Sequence, residues 1–293
     1  MGSTLAVLAA FAFAFGTVLQ QKGTLTTTQE SGDAPWLIQI LRKPVWLAGM
    51  VMQASGWILQ AVALDKAPLM VVQAITSLSL VIALPIGIWL TGQQVDRKVV
   101  AGAVAVVAGI VVFLSVGSPH GGTTNPNAAT WWTACLVIAA LVLVFVALGR
   151  SRQGATRALL FGSAAGFGYG LQTAVTKDFD LEVGHGLVAL LADWSIYVLA
   201  ASAVVGFILQ QSALKTGVLA PAMASSNAVT LFVGVVLGSV IFGEMLGNGS
   251  GHVAPAIVGL LLAVAGVVLL ARAEGPTADP AQGEHVPFQS PTS

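Results

Sequence analysis

The residues able to do chemistry here are amides and hydroxyls set inside long apolar runs. Gln20, Gln53, Gln60 and Gln73 fall in the first part of the chain, and Gln172, Gln210, Gln211, Ser225, Ser226 and Asn227 in the second. Burying an amide with no partner costs on the order of 1–3 kcal/mol, so each must bond another helix or a bound solute. Interhelical hydrogen bonds, worth about 0.6 kcal/mol each, explain any one of them. As a set they predict the lining of a polar cavity between helices. Such groups donate and accept hydrogen bonds.

The acids lie elsewhere. Asp65, Asp178, Asp180, Glu182 and Glu244 sit near segment ends, as does Asp193, and together they would give one mouth of the bundle a negative field that attracts cations. Sorting of Lys and Arg to the opposite side explains the same excess without a binding role. His120, His185 and His252 share that side without metal-ligand spacing, so a metal site stays unknown. No acid occupies a segment centre, which argues against proton coupling through a mid-membrane carboxylate and against tight binding of dehydrated Mg²⁺. Hydrated Mg²⁺ could still pass, because it keeps several waters in most sites. The single cysteine, Cys135, lies in an apolar run and reads as a packing residue. No hydrolase, kinase or metal motif is present, so no enzyme activity and no cofactor are expected.

These residues need elements to hold them, and composition says which. The chain is 56% hydrophobic and only 8% charged, too little polar surface to cover a water-soluble fold of 293 residues. Apolar runs at 4–20, 45–64, 68–90, 99–116, 130–148, 158–175, 194–211, 218–242 and 254–270 match the roughly 30 Å hydrocarbon core of a bilayer at 1.5 Å per residue. Helices are required, since lipid offers no partner to open backbone groups. The fold class predicted is all-α, a polytopic membrane protein of about nine transmembrane helices. Stretches 34–41 and 187–192 could be short interfacial helices, so ten spans stay open. The first run lacks a basic n-region and reads as a retained helix rather than a signal peptide. The segment 273–293, with four prolines, reads as a disordered cytoplasmic tail.

With the N-terminus outside, ten basic residues (Lys22, Arg42, Lys43, Arg97, Lys98, Arg150, Arg152, Arg157, Lys215 and Arg272) fall inside and only Lys66 and Lys177 outside. The chain also repeats. Gly56-Trp-Ile-Leu-Gln60 matches Gly206-Phe-Ile-Leu-Gln210, Leu19-Gln20 matches Leu171-Gln172, and Gly102 and Gly109 match Gly259 and Gly266. Residues 1–116 therefore form a first repeat and 117–272 a second, with an extra segment at 130–148. An odd number of crossings separates the pairs, so the repeats are inverted, an architecture of secondary transporters. Gly162, Gly166 and Gly170, and Gly234 with Gly238, supply small-residue faces for close helix contact, static or sliding.

The sequence resembles the drug/metabolite transporter superfamily. Gly243-Glu244 looks like the Gly-Glu after the penultimate helix of EamA-type halves, and Thr91-Gly92-Gln93 is its counterpart with an amide in place of the acid. Gln21-Lys22-Gly23, the stretch Ala67-Pro68-Leu69-Met70-Val71-Val72-Gln73, and Leu78-Ser79 resemble the NIPA-like (magnesium transporter) branch. The resemblance implies a plasma-membrane carrier working by alternating access on a polar or zwitterionic metabolite, or on Mg²⁺ as in the branch. A membrane-embedded assembly factor without transport is the rival. Expected partners are the lipid bilayer, a small-molecule or cation substrate and, compatibly, a second copy in a homodimer; nucleic acid is not expected. A reporter fused to the C-terminus should be active in the cytoplasm; activity outside would show a miscounted span.

Overall fold

The computed structural model describes residues 1–27, 43–91, 97–122, 127–178, 193–214, 216, 219–247 and 250–273. The stretches 34–41 and 187–192, the acids Asp180 and Glu182, and the tail from residue 274 lie outside them. Ten helices carry the described chain: α1 (Gly2–Thr27), α2 (Pro44–Lys66), α3 (Leu69–Ser77), α4 (Ser79–Thr91), α5 (Arg97–Gly117), α6 (Ala128–Arg150), α7 (Gly154–Asp178), α8 (Trp194–Leu214), α9 (Leu219–Val240) and α10 (Ser250–Ala273). Each apolar run read from the sequence falls on a helix. The protein is an all-α, multi-pass membrane protein.

α3 and α4 form one rod, broken at Leu78. There the Leu78 amide reaches back to the carbonyls of Ile75 and Thr76, tightening the turn, and the Ser77 hydroxyl takes the Ala74 carbonyl at 2.7 Å. The ladder resumes when Ile82 N–H donates to Leu78 O at 2.9 Å. Pro85 then removes one more donor from α4.

Seven spans among the described residues are long and apolar enough to cross a bilayer, the α3–α4 rod counting as one. α7 and α10 fall short for different reasons. The apolar stretch of α10 is only 17 residues, Val253–Leu269. α7 is rich in glycine, alanine and threonine, and its residues from Phe161 to Val175 are mostly buried against neighbours. A helix surrounded by protein needs no greasy face toward lipid, so a hydropathy scan undervalues it.

α1 packs along α2 and touches α3 and α4; α7 packs along α6, α8 and α9; α3 meets α9; and α5 lies against α10 along its length. Exposed Val104, Val111, Leu136, Leu143, Ile208 and Leu261 face outward, which suits hydrocarbon. The core gathers around α3 and α9: Leu69, Val72 and Ile75 pack with Leu171, Val175, Val233 and Leu237 on one side, and Met70 and Ala74 pack with Phe113, Leu231 and Val267 on the other. Two short strands, β1 (His120–Gly121) and β2 (Glu244–Met245), pair antiparallel at one end, Gly121 opposite Glu244.

Glycines set how close the helices come. A Cβ on Gly109 would strike the Gly259 carbonyl oxygen at 2.5 Å, one on Gly259 the Gly109 oxygen at 2.8 Å, and one on Gly266 the Gly102 oxygen at 2.8 Å. Gly102 thus meets Gly266 while Gly109 meets Gly259. The contacts are reciprocal, the earlier glycine of each helix meeting the later glycine of the other. On α7, Gly162, Gly166 and Gly170 abut Ser225, Val229 and Val233 of α9 in succession.

Gly109→Ala or Gly259→Ala should therefore overpack the α5–α10 seam and destabilise the protein by roughly 1–3 kcal/mol. Gly87→Ala, where a Cβ meets nothing within 4 Å, should stay within about 1 kcal/mol of the parent. Thermal unfolding in detergent measures both, and equal stability of the three variants would refute the close-contact account.

Candidate functional site

The end of the bundle that the charge count assigns to the outside is built around one acid. The Glu244 side chain is 0% exposed and meets the ammonium of Lys177, itself 15% exposed, at 2.5 Å. The same carboxylate accepts the backbone N–H of Leu69 at 2.5 Å and of Met70 at 2.9 Å. Those two amides open α3 and have no acceptor within their own helix. Pro68 and the extended Ala67 place them there, and the partial positive charge of a helix start favours the anion. Lys177, near the end of α7, also reaches the Ala67 carbonyl at 3.5 Å and lies 5.0 Å from the Phe242 ring centroid. Gly238 leaves the room: a Cβ there would sit 2.7 Å from Glu244 Oε2.

This corrects the expectation for Glu244. The sequence pattern groups it with acids that give the mouth a negative field, but it is buried and paired with a lysine, so it adds no net charge there. Asp65 is exposed and sits 3.1 Å from the Lys66 ammonium. Asp178 closes α7, beyond the apolar run 158–175, half-buried. Burial, with Asp193 nearby, pushes its carboxyl above the usual carboxylate range. Asp193 caps α8 by accepting Ser195 N–H at 2.8 Å. Around these groups the rings of Trp131 and Trp194 lie 5.5 Å apart and those of Trp131 and Phe242 6.0 Å. No cluster of three or more His, Cys, Asp or Glu able to hold a metal occurs among the described residues.

Inward from this end runs a chain of amides and hydroxyls. Gln60 of α2 donates to Gln73 Oε1 at 3.1 Å, and Gln73 donates to the Thr230 carbonyl at 3.1 Å. Thr230 in turn donates to the carbonyls of Ser226, at 2.8 Å, and Gly166, at 3.2 Å. Four helices, α2, α3, α9 and α7, are joined through it. Gln73 is only 2% exposed and lies against Gly234, whose missing side chain makes the space.

The other candidates are dispersed. Gln210 donates to the sulfur of Met223 at 3.0 Å, and its carbonyl oxygen is buried without a partner. Gln53 packs on Gly16, its oxygen likewise buried and unpartnered. Gln20 donates to Met50 sulfur at 3.5 Å. Asn227 and Ser225 bond carbonyls one turn back on α9, those of Met223 and Ala222. Gln172 and Gln211 are half-buried and Ser226 is buried. Gln60 and Gln210 do not share one layer. Gln60 lies near the Lys66 end of α2, beside the Glu244 pair, and Gln210 near the Leu214 end of α8, at the far end of the bundle. Their bonding partners are nonetheless spaced alike, thirteen residues on in each case.

Sequence reasoning missed Thr230 as the link in the polar chain and Lys177 as the counter-ion. The Gly234–Gly238 face carried the signal, since both notches admit polar side chains of other segments, Gln73 and Glu244.

No family model matches the chain, and no solved structure matches it. It is similar to an uncharacterized protein of Corynebacterium glutamicum, 28% identical over 242 residues that cover 82% of this chain and 83% of the relative. It is also similar to a protein of Arabidopsis thaliana named "Probable magnesium transporter NIPA9", 23% identical over 265 residues covering 87% of this chain and 77% of the relative. With the membrane-type helical architecture, that similarity supports a transporter-type protein.

The polar chain predicts an order of stabilities. Gln73→Leu strands the Gln60 amide and breaks the link to α9, and should cost roughly 1–3 kcal/mol. Gln210→Leu loses only a contact to sulfur, a weak acceptor, and should cost less. Unfolding midpoints in detergent give the order, and a Gln210 variant less stable than the Gln73 variant would contradict it.

Proposed function

We propose that the protein is a secondary transporter of a small polar or zwitterionic solute, working by alternating access between two inverted halves of the drug/metabolite transporter type. The observation that carries this reading is the reciprocal seam of α5 and α10, where Gly102 meets Gly266 and Gly109 meets Gly259. Two segments related by an inverted two-fold axis exchange contacts in this way, and inverted repeats are a common ground plan of carriers. The equal spacing of Gln60–Gln73 and Gln210–Met223 supports the same relation. The solute class follows from the interior, where amides and carbonyls, including the unpartnered oxygens of Gln53 and Gln210, are available and the described acids stay near the ends. On this reading the protein is not an enzyme, its N-terminus is outside, and it resides in the plasma membrane.

A second reading, Mg²⁺ transport, is favoured by the similarity to the Arabidopsis relative named as a probable magnesium transporter. Mg²⁺ would pass with most of its waters, guided by mouth charge and carbonyl oxygens.

Uptake into proteoliposomes separates the two. Replacing Asp65, Asp178, Asp180 and Glu182 by their amides should leave uptake from a panel of labelled zwitterionic and neutral solutes within about twofold of the parent, since an uncharged substrate feels little of the mouth field. Mg²⁺ entry that collapses in this variant, more so at low ionic strength, would overturn the first reading in favour of the second.

A further inference from the structure

We propose that the Lys177–Glu244 pair is a latch that holds one end of the bundle shut, and that opening this end parts the pair and hands both charges to water. The inference rests on the transporter reading, since a static protein has no need to open there.

Three observations meet at the pair. Its members come from different parts of the fold: Lys177 ends α7, Glu244 stands on β2 beyond α9, and the carboxylate also holds the first two amides of α3. One carboxylate thus ties a helix start in the first repeat to two elements of the second. The carboxylate is held at the first turn of α3, the helix that carries Gln73 into the polar chain to Thr230, and in this proposal the contact keeps the entrance closed. The rod behaves differently on the two sides of Leu78. From Leu69 to Ser77 it is buried almost throughout, whereas beyond the break Pro85 and Trp89 are exposed and an apolar groove lined by Val81, Ala103, Val104 and Val107 separates α4 from α5. The tight half is the latched half.

Energetics suit a switch better than a plug. Two buried charges regain in mutual attraction roughly what desolvation takes from them, so a pair of this kind adds little net stability over an apolar contact. Removing one member is costly only while the other stays buried, and it does not stay buried once the end opens to water. The same atoms are therefore acceptable closed and open, and the rings of Trp131, Trp194 and Phe242 pack edge-on beside them.

Accessibility tests the latch without reference to any substrate. In a Cys135→Ala background, Val72→Cys places a thiol at a site that is 0% exposed. A membrane-impermeant maleimide added from the latch side should label it slowly. Glu244→Gln or Lys177→Gln should accelerate labelling roughly tenfold or more, the signature of a shifted closed–open equilibrium. Gly238→Ala, whose methyl would sit 2.7 Å from Glu244 Oε2, should accelerate it too while keeping both charges. Unchanged labelling in the charge variants would overturn the latch. An equal acceleration at Phe113→Cys, in the α5–α10 seam, would also overturn it, by showing general loosening. Faster labelling at residue 72 alone, in a protein that moves no tested solute, would support the latch and count against transport.

Discussion

A polar group inside a bilayer has to find its partner within the protein, and the arrangement of this bundle follows from that constraint. The amides that open α3 are the sharpest case. They lie at the start of α3, at one end of the bundle, and the carboxylate that serves them comes from far along the chain. Glu244 reaches them from 175 residues away, which brings a carboxylate into the core, which in turn requires Lys177. Each step answers the polar group left by the one before.

Close packing makes those answers reachable. Lipid gives helices no hydrophobic reason to associate, so association depends on contact distance and on hydrogen bonds across the gap. Gly234 and Gly238 bring α9 near enough for Gln73 and Glu244 to lie in its surface, and Gly162, Gly166 and Gly170 let α7 approach α9 until the Thr230 hydroxyl meets a carbonyl of α7. The glycines on α7 and α9 thus determine where the polar chain can run. Those of α5 and α10 instead bring two helix backbones into direct contact.

The two ends of the molecule differ. Glu244 has an amide, Gln93, as its counterpart in the sequence, so the electrostatic tie at one end cannot be copied at the other. The α3–α4 rod is correspondingly divided at Leu78 into a held half and a loose half.

The sequence by itself determined the class of protein and the helices, since apolar runs of bilayer length with 8% charged residues leave no other solution. It also marked the residues worth watching: the glutamines, the glycine faces and Gly243-Glu244 stand out in an apolar background. Partners were beyond it. Gln60 and Gln210 match in the sequence, yet their helices carry them toward opposite ends of the bundle. Glu244 looked like a surface acid because it follows a helix and precedes a loop. Only the tertiary structure decided that β2 turns it inward onto α3 and Lys177. Local pattern fixes which way a segment must fold to suit its solvent, but whether a charge at its end meets water or a counter-ion depends on segments far away in the chain, and no spacing along the sequence carries that distance.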